Sequence, residues 1–377
     1  MTTPDTSRRE RILLAPIPIT PTKPLTPSHV KGMLWVDVMF KTTSQLADVR
    51  CLYSHLTANA SEQTLGFWEY LDREHDDVNF DSCDEHELGE LYRRYHAESS
   101  HCRYEALVPY VRAVERGRWC HPCSLRLSDI WRTQAALLGI ENLMPAQPHD
   151  DTMGIEALVD LLKISELCLD LRAAGGPLYL DATADGLPLR RSIAPDGQVN
   201  YLINLLRDLV PQIPRHDHIV LIHDEELNAD HVLLQRILEK LGAVVHRVAL
   251  SRVAIDGVVR SARFGGWRGY TASALIDHSL GAADLASVKL GMRLYFIATL
   301  GKNRSASIDL KHLGRSTRRA ATLLAQSEAG AAGGDVGLFL RKHGGRKCYV
   351  DPYRITTALL SQHAPLCPID GGSKWYM

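Results

Sequence analysis

The chain lacks a long apolar run: nothing in it approaches the roughly 18 to 20 residues that a membrane-spanning helix requires. Its start, MTTPDTSRRERILLAPIPITP, has too short an apolar stretch and no small-residue cleavage pattern, so no secretory leader is expected. Charge of one sign is not in excess either. With 43 basic and 44 acidic residues among 377, no global attraction to nucleic acid or to an anionic membrane is expected. Internal repeats and extended low-complexity tracts are missing. The eight cysteines (51, 83, 102, 120, 123, 168, 348 and 367) are scattered, several within apolar helical stretches, as suits reduced thiols and a cytoplasmic protein. Cys120 and Cys123 in WCHPC suggest zinc, with His101 or Cys102 to complete the set. A second tight pair is absent, so structural thiols and no metal are the expectation.

What is present is a chain with 45% apolar residues, long enough for two or three domains around a large core. Ile12 to Ile19 is a short apolar run suited to a buried strand, and Ser28 is placed to cap a helix from His29 towards Leu46. That helix is apolar around most of its circumference from Met33 to Phe40, which predicts burial. ADVRCLYS reads as a second strand. From Asp84 to Ala173 the pattern is mostly helical, with polar loops such as MPAQPHDDTMG. GGPLYLDA restarts strand character. HIVLIHDEELNADHVLLQRILEKLGAVVHRVAL is a strand, helix and strand, with Gly242 stopping the helix, and two strands joined by a helix imply parallel pairing. Helices follow from Ala282 to Gln326, then a small-residue linker, SEAGAAGGD.

The most informative stretch is PTKPLTPSHVKG, residues 21 to 32, between the first strand and its helix. It resembles the first signature of the arginyl branch of the class I aminoacyl-tRNA synthetases, Pro-Thr-Lys-Pro-Leu-His-Val-Gly-His-Leu-Arg-Gly. Lys23, Pro24, Leu25, His29 and Gly32 match, and Lys31 stands for the arginine. Thr26 replaces the first histidine and Ser28 the glycine. The likeness runs on in family order through LTANASEQTLGF, DGQVNYLINLLRDL and the strand-helix unit from residue 218. It continues through VRSARFGGWRGYTASALID, at the place of the second signature, and VKLGMRLYFIATLGKNRSASIDLKHL. It covers roughly residues 12 to 325.

The resemblance implies an α/β fold: a class I synthetase Rossmann-like (HUP-type) parallel sheet with a helical insertion and a truncated C-terminal helical domain. The expected parts are residues 1–83 and 176–281 for the two halves of the catalytic domain and 84–175 for the insertion. Residues 282–329 would start an anticodon-binding-like domain, and 330–377 would be an appendage. The implied cofactors are ATP and Mg²⁺. Lys23 and His29 are then the catalytic candidates. ATP would be held by Lys23, Ser28, His29, Lys31 and Gly32 at a helix N-terminus, and by Ser261, Arg263 and Gly265 in the glycine-rich basic loop. Thr20, Tyr201 and Leu205 are the candidates for the acid-substrate pocket. Leu205 falls where the family carries an aspartate, and Ala15 where it carries a polar strand end. A buried guanidinium without acceptors costs several kcal/mol, so arginine is not the expected substrate.

The expected activity is therefore ATP-dependent activation of a carboxylate, other than arginine, as an adenylate, with transfer to an amine or a carrier. A catalytically inactive paralogue that regulates or scaffolds, and a genuine arginyl-tRNA ligase, are the alternatives. The expected partners are a small-molecule carboxylate and an amine acceptor, with tRNA not bound through the usual anticodon recognition. The blander reading leaves Lys23 and His29 as inherited scaffold, residues 260–269 as a solvated loop and Tyr201 as core. HDEEL, residues 223–227, carries metal-capable groups at a strand end, set behind the nucleotide. LFLRKHGGRKCYVDPY, residues 338–353, suits either phosphate contact or a solvated hairpin.

Overall fold

The structure, a computed structural model, describes residues 8–98, 102–117, 119–141, 151–259, 261–303, 306–329, 335–361 and 376–377. His101, Arg260, Cys367, most of MPAQPHDDTMG, most of SEAGAAGGD and the last two residues of KNRS lie outside the described residues.

Strand β1 (Arg11–Pro16) leads into α1 (Pro27–Thr43) and β2 (Asp48–Cys51). Six helices follow: α2 (His55–Asn59), α3 (Glu62–Glu74), α4 (Glu85–Ala97), α5 (Tyr104–Gly117), α6 (Pro122–Leu137) and α7 (Ile155–Ile164). Strands β3 (Cys168–Asp170), β4 (Leu178–Leu180) and β5 (Arg190–Ile193) precede α8 (Tyr201–Leu209). Then come β6 (His218–Asp224), α9 (Asn228–Lys240) and β7 (Val245–Leu250). Helices α10 (Ala272–Leu280), α11 (Leu285–Arg293), α12 (Leu310–Ala329), α13 (Val336–His343) and α14 (Pro352–Ser361) complete the order.

The main sheet has the order β2-β1-β6-β7 and every pairing in it is parallel, as the strand-helix-strand pattern predicts. Side chains alternate across it. Ile12, Leu14, Val220, Ile222, Val248 and Leu250 enter one core with α1 and the C-terminal helices, whereas Leu13, Ala15, Ile219, Leu221 and Val245 enter a second with α7, α8 and α9. A sheet covered on both faces is why these strands read as continuous apolar runs. GGPLYLDA does form a strand, but β4 pairs antiparallel with β3 and β5 in a separate sheet. Gly242 has φ 97° just past α9, a left-handed stop that a side chain would strain.

Helix α1 starts two residues before the sequence reading puts it. Pro27 occupies the first helical turn, where its missing N–H costs nothing, and Thr26 is the N-cap. Ser28 is inside the helix, and its hydroxyl instead accepts from the Val253 N–H at 3.0 Å. The helix is buried around most of its circumference, as its apolar content predicts, and its Asp37 pairs with Arg293, both fully buried, at 2.5 Å. Tyr349, Val350, Ile355 and Leu359 of the C-terminal segment join the first core. No helix among the described residues is long and apolar enough to cross a membrane.

Candidate active site

The site grows from the carboxyl ends of β1 and β6, where an open parallel sheet leaves a crevice. A cavity of about 250 Å³ lies there, walled on one side by the first turns of α1. Thr20, Lys23, Ser28, His29 and Gly32 all line it. A second, smaller cavity of about 90 Å³ includes Ser28, Val253, Gly265 and Gly266, so Ser28 stands between the two. Five residues close in sequence thus meet in one crevice because a strand end and a helix start must face each other there.

His29 is held from behind. Its Nδ1 accepts the Thr26 backbone N–H at 3.0 Å and lies 3.2 Å from Thr26 Oγ1. An acceptor Nδ1 places the proton of the neutral ring on Nε2. Burial, followed by the charges of Lys23 and Arg252, pushes the His29 pKa down to about 3. The ring is therefore a neutral donor across the physiological range. Thr26 cannot carry the charge of the histidine it replaces, but it fixes the tautomer of the one that remains.

Lys23 donates to Thr20 Oγ1 at 2.8 Å, and its ammonium sits 5.4 Å from the centre of the Tyr92 ring. Burial, then Arg252, lowers its pKa to about 8, with Asp224 pulling the other way. Gln63 completes this corner by donating to Tyr92 Oη at 2.7 Å and to Thr20 Oγ1 at 3.0 Å. Lys31 does not line the cavity. Its Nζ turns beneath α1 and donates to the Ser251 carbonyl at 2.8 Å, which ties α1 to the end of β7.

Sequence reasoning missed Arg252, which lines the cavity beside Asp224. Arg252 Nε donates to Asp224 Oδ2 at 3.0 Å and Nη1 approaches Glu226 Oε2 at 2.8 Å. Both members of the pair sit at or just past strand ends, which is the signal that could have found them. HDEEL thus enters the cavity wall through His223, Asp224 and Leu227.

The loop at 261–266 is braced against α4. Trp267 is buried, donates from Nε1 to the Ala262 carbonyl at 3.1 Å, and lies so close to Gly89 that an added Cβ would be 2.5 Å from its ring. Arg268 pairs with Glu90 at 2.6 Å. Gly265 and Gly266 have φ of 71° and 80°, a left-handed pair that turns the loop back towards Ser28. Ser261 is half-buried, and Arg263 is exposed, its guanidinium 4.7 Å from the centre of the Phe264 ring.

Tyr201 and Leu205 stand apart. Leu205 is buried in the second core with Leu13, Ala15 and Leu221, and Tyr201 packs against that core while donating to Asp230 Oδ2 at 2.8 Å. Arg190 takes the same carboxylate oxygen at 2.9 Å. Neither Tyr201 nor Leu205 lines the cavity. Cys123 is buried and Cys120 half-buried. Neither belongs to a group of three metal-capable side chains among the described residues.

Solved structures decide the fold. The Thermus thermophilus arginyl-tRNA synthetase superposes with a TM-score of 0.64 at 15% identity, over 100% of this chain and 75% of that one. This chain has the arginyl-tRNA synthetase fold. The Plasmodium falciparum arginyl-tRNA synthetase gives a TM-score of 0.58 at 10% identity, over 87% of this chain and 59% of that one. No protein-family model and no curated protein matches the sequence. At such identities the likeness establishes the synthetase fold alone, and the chemistry rests on the residues that line the crevice.

Proposed function

We propose that this chain is an ATP-dependent ligase related to the aminoacyl-tRNA synthetases, which activates a carboxylate as its adenylate. The observation that carries this reading is the convergence of Lys23, His29 and Arg252 beside the α1 N-terminus in one crevice. Free amides at a helix start and a neutral histidine donor suit the α-phosphate of ATP. The substrate carboxylate oxygen attacks the α-phosphorus, and the bond to the bridging oxygen of pyrophosphate breaks. Lys23 and Arg252 neutralise the charge that gathers on the leaving group. Mg²⁺ bound to the nucleotide phosphates supplies further neutralisation. The loop from Ser261 to Gly266 closes over the nucleotide, bringing Ser261, Arg263 and Gly265 to it, while Lys31 positions Arg252 through Ser251 rather than touching ATP.

Arginine is not the substrate in this reading. Leu205 and Tyr201 stand outside the cavity, and Asp224, the carboxylate in its lining, is already paired with Arg252. The cavity wall from Ile17, Ile19, Met33, Val36 and Leu250 is apolar and suits an apolar or small side chain. Transfer of the acyl group to an amine or carrier completes the reaction, with tRNA not bound through the usual anticodon contacts. The catalytic unit comprises residues 1–83 and 176–281, with 84–175 inserted, 282–329 beginning an anticodon-binding-like domain and 330–377 appended.

Amino-acid-dependent exchange of pyrophosphate into ATP tests the proposal, with non-proteinogenic acids included. Exchange with one acid class, lost in Lys23→Ala, is the expected result. No exchange, alongside thermal stabilisation by ATP, would favour an inactive regulator or scaffold. Arginine-dependent exchange with charging of tRNA would make it a genuine arginyl ligase.

A further inference from the structure

The end of the main sheet remote from the crevice carries a cluster that adenylation does not use. In the parallel register Ile12 pairs with His218 and Val220 with His246. Alternation then places Glu10, His218 and His246 on one face, at the foot of the apolar rows that form the first core. The segment between α13 and α14 crosses this foot. Val350 N–H donates to Thr43 Oγ1 at 3.0 Å and Tyr349 is buried, which holds Cys348 against the two imidazoles.

The distances suit a metal ion. One donor atom from each of His218, His246 and Cys348 lies within 4.8 Å of the other two. His246 Nε2 and His218 Nδ1 are 3.3 Å apart and share a hydrogen bond, whose proton a bound ion would displace to another ring nitrogen. Zinc–nitrogen bonds of about 2.0–2.1 Å at the tetrahedral angle set two imidazole nitrogens about 3.3–3.4 Å apart. Two of the ligands are thus already spaced for the ion. The remaining His218 nitrogen, Nε2, lies 3.9 Å from the exposed Glu10 carboxylate, beyond hydrogen-bond reach.

We propose that His218, His246 and Cys348 bind a zinc-type transition-metal ion. Two imidazoles and a thiolate suit a borderline-soft cation and not the oxygen-seeking Mg²⁺ or Ca²⁺. Binding therefore breaks the S–H bond and releases its proton to solvent, and the ion supplies the positive charge that the thiolate lacks. The Lys347 ammonium is tied to Tyr349 Oη at 2.9 Å. A water molecule would complete the tetrahedron.

His218 and Asp224 are the two ends of β6, six residues and about 20 Å apart, so this ion would take no part in adenylation. It would instead pin the C-terminal segment to β6 and β7, closing long chain loops and stabilising the fold.

The test titrates the chelator-treated full chain with Co²⁺ and then Zn²⁺. One Co²⁺ per chain is expected, with thiolate-to-cobalt absorption that Zn²⁺ abolishes. Zn²⁺ should also shield Cys348 from iodoacetamide in peptide maps. Cys348→Ser should lose the charge-transfer band. Absence of stoichiometric Co²⁺ uptake, or a band that survives Cys348→Ser, overturns the proposal. If Cys348→Ser does not fold, shielding in the native chain decides the matter, and unshielded Cys348 overturns it equally.

Discussion

Arg252 Nε stands 3.0 Å from Asp224 Oδ2 across the open ends of β7 and β6. The pair fixes the guanidinium within the crevice, beside Lys23. With its carboxylate partner, Arg252 is held in place before any phosphate arrives, and its cation needs little rearrangement to stabilise a leaving group. Replacement Arg252→Gln should lower the rate of pyrophosphate exchange about 10²-fold while leaving the melting temperature nearly unchanged. A loss confined to KM for ATP would instead assign Arg252 to ground-state binding.

The pH profile should lack the limb that an ordinary histidine produces. His29, held near 3, stays neutral, whereas Lys23 loses its proton through about 8. In kcat/KM for ATP, which reports the free enzyme, activity should therefore fall as pH rises past about 8, with no inflection from His29 near 6.5. Stability moves the other way. The Lys23 pKa is lowered on folding from 10.5, so between about 8 and 10.5 the unfolded chain holds more of this proton, and this group's contribution to stability rises with pH. Lys23→Met should remove this stability effect, read from unfolding at about pH 8 and pH 10.

Restoring the family's aspartate should not restore arginine. Leu205 is 5% exposed and belongs to the second apolar core, where a carboxylate would lose its hydration. Leu205→Asp should destabilise the chain by several kcal/mol and yield no arginine-dependent exchange. Tyr201→Phe, which removes only the bond to Asp230, should cost about 1 kcal/mol in urea unfolding and leave ATP affinity intact.

Gly89 governs the loop at 261–266 from a distance. A methyl group there would meet the Trp267 ring at 2.5 Å and Pro24 Cδ at 2.9 Å. Gly89→Ala should displace Trp267 and cost about 1–3 kcal/mol. Exchange activity should fall by more than stability explains, measured at a temperature where the variant is fully folded. Equal behaviour of Gly89→Ala and wild type would remove the loop from the mechanism.

Much of the crevice was legible because it is local. Thr20, Lys23, Ser28, His29 and Gly32 span thirteen positions at one strand-helix junction, and such a junction has few ways to fold. Lys31 shows the limit: its spacing along α1 turns it under the helix, and only the position of Ser251 shows what it meets. The same holds for Tyr201, whose partner Asp230 belongs to a different helix.

The sequence by itself determined most of the elements, since hydrophobic periodicity and a helix stop such as Gly242 act within a few residues of chain. It determined the parallel β6-α9-β7 unit too, because a helix between two apolar strands leaves little else. Only the tertiary structure decided that Arg252 meets Asp224, that Leu205 turns into the second core, and that Glu10, His218, His246 and Cys348 gather at the far end of the sheet. Those meetings depend on the register between strands and on where a distant segment crosses them, and no local pattern of residues encodes either.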